Sequence, residues 1–321
     1  MAFRLKLSEP MDVGIRRIAA EQVDRAIVHI EATLGSEAAA AVHEARKCLK
    51  RTRALLRFGR PLIEPDAYKH ASSVLRDVGR AMSGTRDLDV LEKLLSDLRL
   101  AGALKPATLA RLARELATAR KSAFADQIAA EARAGMVVQL KALRDGLPDL
   151  PIEVDDHRLV TDGIAECLAD CRKAFGRAFG SDDGEAFHEW RKSVQLHWRQ
   201  MQLVERAWPA YCHARIVEAR AISMLIGTDR DLGLLLAFVT AHPVPKTMQG
   251  EVARLVARRQ ALLRLEAKAM GGRLLAEGTG GLCRRLEQYW AAARALRKAK
   301  RQDAAADVAI GPIKQADHSG T

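Results

Sequence analysis

Phosphate groups are held best by three side chains: the arginine fork, the lysine ammonium and a protonated imidazole. The sequence gathers all three between His43 and Arg60, HEARKCLKRTRALLRFGR, where seven lysines and arginines stand against one acid, Glu44. Counted at about 100° per residue, the helical spacing, His43, Arg46, Lys47, Lys50, Arg51, Arg53 and Arg57 fall on one half of a helix. Ala45, Cys48, Leu49, Thr52, Leu55 and Leu56 fall on the other. Neighbouring like charges on a helix repel by roughly 0.2–0.5 kcal/mol per pair. A helix that needed only solubility would interleave glutamates, so this ladder calls for an anion from outside. The plainer alternative is a solvated charged face.

A second copy weighs against that alternative. His-Glu-x-Arg-Lys returns 145 residues on, in His188–Gln202, HEWRKSVQLHWRQMQ. Each copy is followed by a second element: Met82 to Leu91, MSGTRDLDVL, and Ile226 to Leu235, IGTDRDLGLL. Motifs that recur in the same order across half a chain mark an internal duplication. The repeat is lopsided, however. Gln195, Leu196, Trp198 and Gln202 stand where the first copy has Lys50, Arg51, Arg53 and Arg57. Either the second half binds less, or other cations, such as Arg258, Arg259 or Arg264, contribute there.

A doubled His-Glu-x-Arg-Lys helix, each followed by a Gly-Thr turn and an Arg-Asp-Leu segment, resembles the CHAD family (conserved histidine α-helical domain). The stretches Gly272–Glu277 and Arg284–Trp290 resemble that family's closing helix. The resemblance spans roughly residues 8–298 and rests on the order and doubling of loose motifs. It implies an all-α fold of two pseudo-symmetric four-helix bundles around a basic central groove or pore. It also implies non-enzymatic binding of inorganic polyphosphate and association with polyphosphate granules.

Polyphosphate has about one charge per unit and neither base nor sugar to read, so a protein must meet it with a row of donors. The family motif and the helical face together assign His43, Arg46, Lys47, Lys50, Arg53 and Arg57 in the first half. They assign His188, Arg191 and Lys192 in the second. Arg76 and Arg220, at matching places in the second elements, are further candidates whose alternative is an ion pair.

Other chemistries fare less well. Asp87, Asp89, Asp229 and Asp231 lie near these cations and invite a magnesium-dependent phosphohydrolase reading. A structural role competes with it, the aspartates pairing with arginines or capping helices that start after Gly84 or Gly227. Lys47 and Lys192 occupy the place of the second histidine of a zinc-protease motif, so no metal or cofactor is expected. Nucleic acid is the rival ligand. Only 4% of residues are aromatic, and Trp190, Trp198, Trp208 and Trp290 sit at core spacing, which leaves little for base stacking.

These residues must be carried by helices. The chain has 321 residues, 48% hydrophobic, 29% charged, with net charge +12, a balance that favours polyanionic partners. Five cysteines without metal spacing read as free thiols. The start MAFRLKLSEP has no apolar leader core, and no apolar run reaches membrane-spanning length, so a cytoplasmic protein is expected. The pattern predicts one domain over 8–300: a first repeat at about 8–147, a linker at 148–155 around Leu147-Pro148-Asp149-Leu150-Pro151, and a second repeat at about 156–300. Within it the basic helix runs to Arg60, the second motif helix to Trp208, and a helix or helix pair bends near Gly135. Residues 301–321 read as a flexible tail, and no strand is apparent.

Overall fold

Apolar residues recur at helical spacing along nearly the whole sequence, and helices are what they form. The computed structural model describes residues 3–33, 38–82, 86–123, 130–180 and 184–310. Eleven helices occur among them: α1 (Met11–Glu31), α2 (Ala38–Gly59), α3 (Pro65–Ala81), α4 (Arg86–Leu100), α5 (Pro106–Ala123) and α6 (Ala130–Gly146) in the first half. The second half holds α7 (Asp156–Gly180), α8 (Gly184–Leu203), α9 (Pro209–Ala241), α10 (Lys246–Leu274) and α11 (Thr279–Ile310). The expected all-α fold is what the chain adopts. The isolated bridge between Ile63 and Ile152 is no strand. It belongs to a short stitch in which Glu64 N–H donates to the Pro151 carbonyl and Glu153 N–H to that of Leu62. No helix among the described residues is long and apolar enough to cross a membrane.

The helices assort by core rather than by half. One core draws on α1–α3, α6–α8, the first half of α9, the end of α10 and α11, with Ile15, Leu55, Leu56, Phe58, Trp190 and Val194 at its centre. A second, smaller core joins α4 and α5 to the far half of α9 and the near half of α10, through Leu98, Leu112, Leu232, Leu235 and Val252. α9 and α10 are long because each serves both cores. The four-helix grouping of the second core is thus shared between the halves: one pair comes from each.

Four boundaries differ from the sequence reading. α8 stops at Leu203, not Trp208. The Leu203 carbonyl that a further turn would need accepts instead from Leu5 N–H at 2.9 Å. Gly135 lies inside α6, without a helix boundary there. α11 runs past Lys300 to Ile310, because Ala304–Ala306 favour helix and no breaker occurs before Gly311-Pro312. Finally, α9 passes through Gly227 without interruption, so Asp229 caps nothing. The expectations for Gly84 and for the tail beyond Ile310 lie outside the described residues.

α2, which carries the basic face, is fixed closely. Its Phe58 carbonyl lies so near α7 that a Cβ on Gly163 would collide with it. α3 is started by Pro65 at its first turn and by the Glu64 carboxylate, which accepts from the Asp66 and Ala67 amides. α8, α9 and α10 are tied by Arg215. Its guanidinium donates to His197 Nε2 at 3.1 Å and to the Leu274 carbonyl at 3.0 Å. Burial, reinforced by Arg215, pushes the His197 pKa down to about 3, so this ring is a neutral acceptor and no titrating switch. All five cysteines are free and buried.

Candidate anion-binding site

The two motif helices treat their motif residues alike. Arg46 Nη1 donates to the Met82 carbonyl at 2.8 Å and the Gly79 carbonyl at 3.3 Å, both at the end of α3. Helix ends leave carbonyls without partners, and Arg46 supplies one. Arg191 Nε donates to the Ser223 carbonyl of α9 at 3.0 Å. Its guanidinium lies over Gly227, where a Cβ would stand 3.0 Å from Nη2. Both arginines pin a motif helix to the helix that follows, and each spends donors on backbone.

Lys47 pairs with Glu44 at 3.0 Å, and Lys192 with Glu189 at 2.5 Å. Such exposed pairs within one helix contribute about 0.3–0.5 kcal/mol, so either lysine can leave its glutamate for a phosphate. Arg57 is committed elsewhere. It reaches Asp170 of α7 at 2.6 Å and Glu166 at 3.6 Å. Burial pulls its pKa down, but Cys167, Glu166 and Asp170 outweigh that and hold it above the usual value. Arg57 is a strut between α2 and α7 rather than a rung of the ladder.

Two further groups of arginines are held differently. In the first half Arg53, exposed on α2, looks across to Arg76 and Arg80 of α3. Partial burial, then repulsion from Arg76 and Arg80, holds its pKa below the usual arginine value. The exposed Asp77 is shared by Arg76 at 3.4 Å and Arg80 at 3.8 Å. Among the described residues Arg53 forms no ion pair. Lys50 and His43 are exposed on the same helix.

In the second half the centre is Arg199, which the sequence reading missed. Burial, then the charges of Arg51, Arg191 and Arg220, push its pKa down to about 10. Arg199 thus feels cations of α2, α8 and α9. Arg199 Nη1 donates to the Gln195 carbonyl of its own helix at 2.8 Å. None of Arg51, Arg199 and Arg220 forms an ion pair among the described residues. Their partial relief is aromatic: Arg220 and Arg199 lie 4.4 and 5.0 Å from the Trp198 ring centroid, and Arg51 lies 5.9 Å from that of Phe3. Trp198 is partly buried and packs against the larger core, as its spacing suggests, while it also carries the Arg199 and Arg220 guanidiniums. Trp208 is not core; it is 47% exposed and packs against Tyr211 and Tyr289. Trp190 and Trp290 are buried.

The alignment of the two motif copies in sequence accounts for the oversight, with Trp198 at the place of Arg53 and Arg220 at that of Arg76. Arg199 aligns with Ala54, so carrying the first motif onto the second copy hides it.

Burial, then Lys192 and Arg230, hold the His188 pKa below the usual imidazole value. Its Nδ1 is buried without a hydrogen-bond partner. Arg264 does not join the site. Its guanidinium pairs with the buried Asp229 at 2.7 and 3.3 Å and covers the Phe187 ring. Arg258 and Arg259 lie earlier on α10, toward the second core. Asp89 is engaged by Arg120 at 2.5 Å, and Asp87 is exposed in the first turn of α4. Among the described residues no three His, Cys, Asp or Glu side chains meet as a metal would require.

The fold and this site define an all-α protein whose motif helices present arginines without matching carboxylates. A model of the CHAD domain matches residues 17–240, well over half of the chain, and the protein belongs to the CHAD family. Among solved structures it is similar to the CHAD domain from the plant Ricinus communis, with TM-score 0.60 and 18% identity over 87% of this chain and 96% of that one. It is also similar to PptA from Streptomyces chartreusis, with TM-score 0.57 and 16% identity over 84% of this chain and all of that one. No curated protein matches the sequence.

Proposed function

We propose that this protein binds inorganic polyphosphate without turning it over, and acts as a scaffold or adaptor at polyphosphate granules in the cytoplasm. Membership of the CHAD family supports a polyphosphate-related role. The observation that carries the reading is that Arg199 and Arg220 lie 5.0 and 4.4 Å from one ring, that of Trp198, with no ion pair among the described residues. Burial and neighbouring arginines push the Arg199 pKa down to about 10. An arrangement that costs stability in the free protein is explained by an anion that relieves it on binding. A polyphosphate chain has oxygens to spare for Arg53 and Arg76 as well. Lys47 and Lys192 join by giving up exposed pairs of small value. A bound phosphate also favours the protonated form of His188, whose pKa is held below the usual imidazole value, so binding strengthens as pH falls.

Nucleic acid is disfavoured by the aromatic provision. Trp198 and Phe3 are the rings beside Arg51, Arg199 and Arg220, and these guanidiniums already cover both. Long-chain polyphosphate is expected to displace single-stranded RNA at equal phosphate concentration. Its affinity should fall with a log–log salt slope of about 0.7 per neutralised phosphate, by analogy with single strands. Phosphate release with magnesium or manganese should stay at background. RNA binding as tight as polyphosphate binding would favour the nucleic-acid reading. Turnover lost on Asp87→Asn would establish an enzyme instead.

A further inference from the structure

A single strand of nucleic acid asks two things of a protein, an open ring for a base and cations for the backbone. At the motif helices the rings beside the arginines are taken. The start of α9 and the outer half of α11 offer both together. Trp208 is 47% exposed, yet it is fixed in place. Its ring centroid lies 4.5 Å from that of Tyr289 and 6.5 Å from that of Tyr211, and Pro209 follows it in the first turn of α9. A ring already held this way loses little freedom on binding. α11 gives its last residue to the core at Trp290, and no side chain from Ala291 to Asp303 is buried. Arg297, Lys298, Lys300 and Arg301 stand in that stretch and form no ion pair among the described residues. Like charges three and four apart on an exposed helix repel, so an anion laid along them is welcome. At helical spacing Tyr289, Leu296 and Lys300 fall within about 20° of one line, and the 58% exposed Leu296 bridges the ring and the cations.

We propose that this face binds single-stranded nucleic acid, with a base stacked on Trp208 and the adjoining phosphates along α11 at Lys300 and its neighbours. It shares no residue with the polyphosphate site and stands or falls separately from that reading. One ring and four cations make it the weaker of the two surfaces. Polyphosphate, which has no base, competes here for the cations alone, and in long chains it still displaces RNA from the protein. An acidic protein segment would meet the same cations, so the test must separate reading of a base from reading of charge.

Three probes do this: a short oligouridylate, its abasic backbone of the same length, and polyphosphate of matched charge. The wild type should bind oligouridylate about tenfold more tightly than the abasic backbone. Trp208→Ala should bring the two oligomers to equal affinity and leave polyphosphate binding unchanged. Lys298→Gln with Lys300→Gln should weaken both oligomers alike and keep their ratio. Melting curves accompany Trp208→Ala. Should it unfold, oxidative footprinting of the wild type decides: oligouridylate should shield Trp208 from oxidation and the abasic backbone should not. Equal binding of the two oligomers by the wild type would overturn the proposal and assign the face to a partner that reads charge alone. A base preference that survives in Trp208→Ala, or a Trp208 left unshielded, would overturn it as well. Polyphosphate binding without a base preference removes this inference and leaves the polyphosphate reading standing, and a base preference without polyphosphate binding does the reverse.

Discussion

Replacing Arg53 and Arg76 together by glutamate should weaken long-chain polyphosphate binding by about a hundredfold and leave the melting temperature unchanged or raised. An exposed charge pair contributes up to about 1 kcal/mol, and reversal both removes an attraction and adds a repulsion. Two reversals therefore remove about 3 kcal/mol, or two decades in affinity. Stability should not suffer, because Arg53 has no ion pair among the described residues and is repelled by Arg76 and Arg80. The control is Lys141→Glu with Lys246→Glu, which changes net charge equally, on α6 and at the start of α10. A comparable loss in the control would reduce the effect to overall charge. Loss of fold in the Arg53/Arg76 variant would make these cations structural.

The second large effect is on stability. Arg264→Ala should destabilise the protein by about 3–5 kcal/mol, the usual cost of leaving a buried charge without its partner. The Asp229 side chain is 6% exposed and Arg264 is its ion-pair partner at 2.7 Å. Asp229→Asn should cost less, because the Arg264 side chain is 29% exposed and water can reach the charge left behind. Chemical denaturation of the two variants gives the comparison. A mild Arg264→Ala together with a severe loss of polyphosphate binding would return Arg264 to the binding site and Asp229 to the candidate metal ligands.

The basic face of α2 was legible in the sequence because helical periodicity places its residues and the shortage of acids leaves them unmatched. Their separate fates were not legible. Arg46, Arg53 and Arg57 lie on one stripe, yet Arg46 meets the carbonyls that end α3, Arg57 meets Asp170 and Glu166 of α7, and Arg53 meets only other arginines among the described charges. Which neighbour each one finds depends on where α3 stops and how α7 crosses, and local pattern does not contain that. The all-α class was legible for the same reason as the face, whereas the shared second core depends on pairings between α4–α5 and α9–α10 far apart in sequence. Of the two structural roles open to Asp229, the arginine pair is the one found, with Arg264, and the helix cap that Gly227 suggested is not. In α9 a Cβ at that position would stand 3.0 Å from the Arg191 guanidinium, so the glycine lets that side chain pack closely on a continuous helix. Trp198 and Arg199 show the limit of reasoning from a sequence repeat: aligned positions can carry different chemistry.

The most direct test is to map arginine protection by polyphosphate, using an arginine-specific dicarbonyl and mass spectrometry. Saturating polyphosphate should slow modification of Arg53, Arg76 and Arg220, the exposed members of both groups. It should leave unchanged the modification of Arg158 and Arg273, which are paired with carboxylates elsewhere on the surface. Uniform slowing at all exposed arginines, or protection confined to arginines outside these two groups, would contradict a polyphosphate site built on α2, α3, α8 and α9.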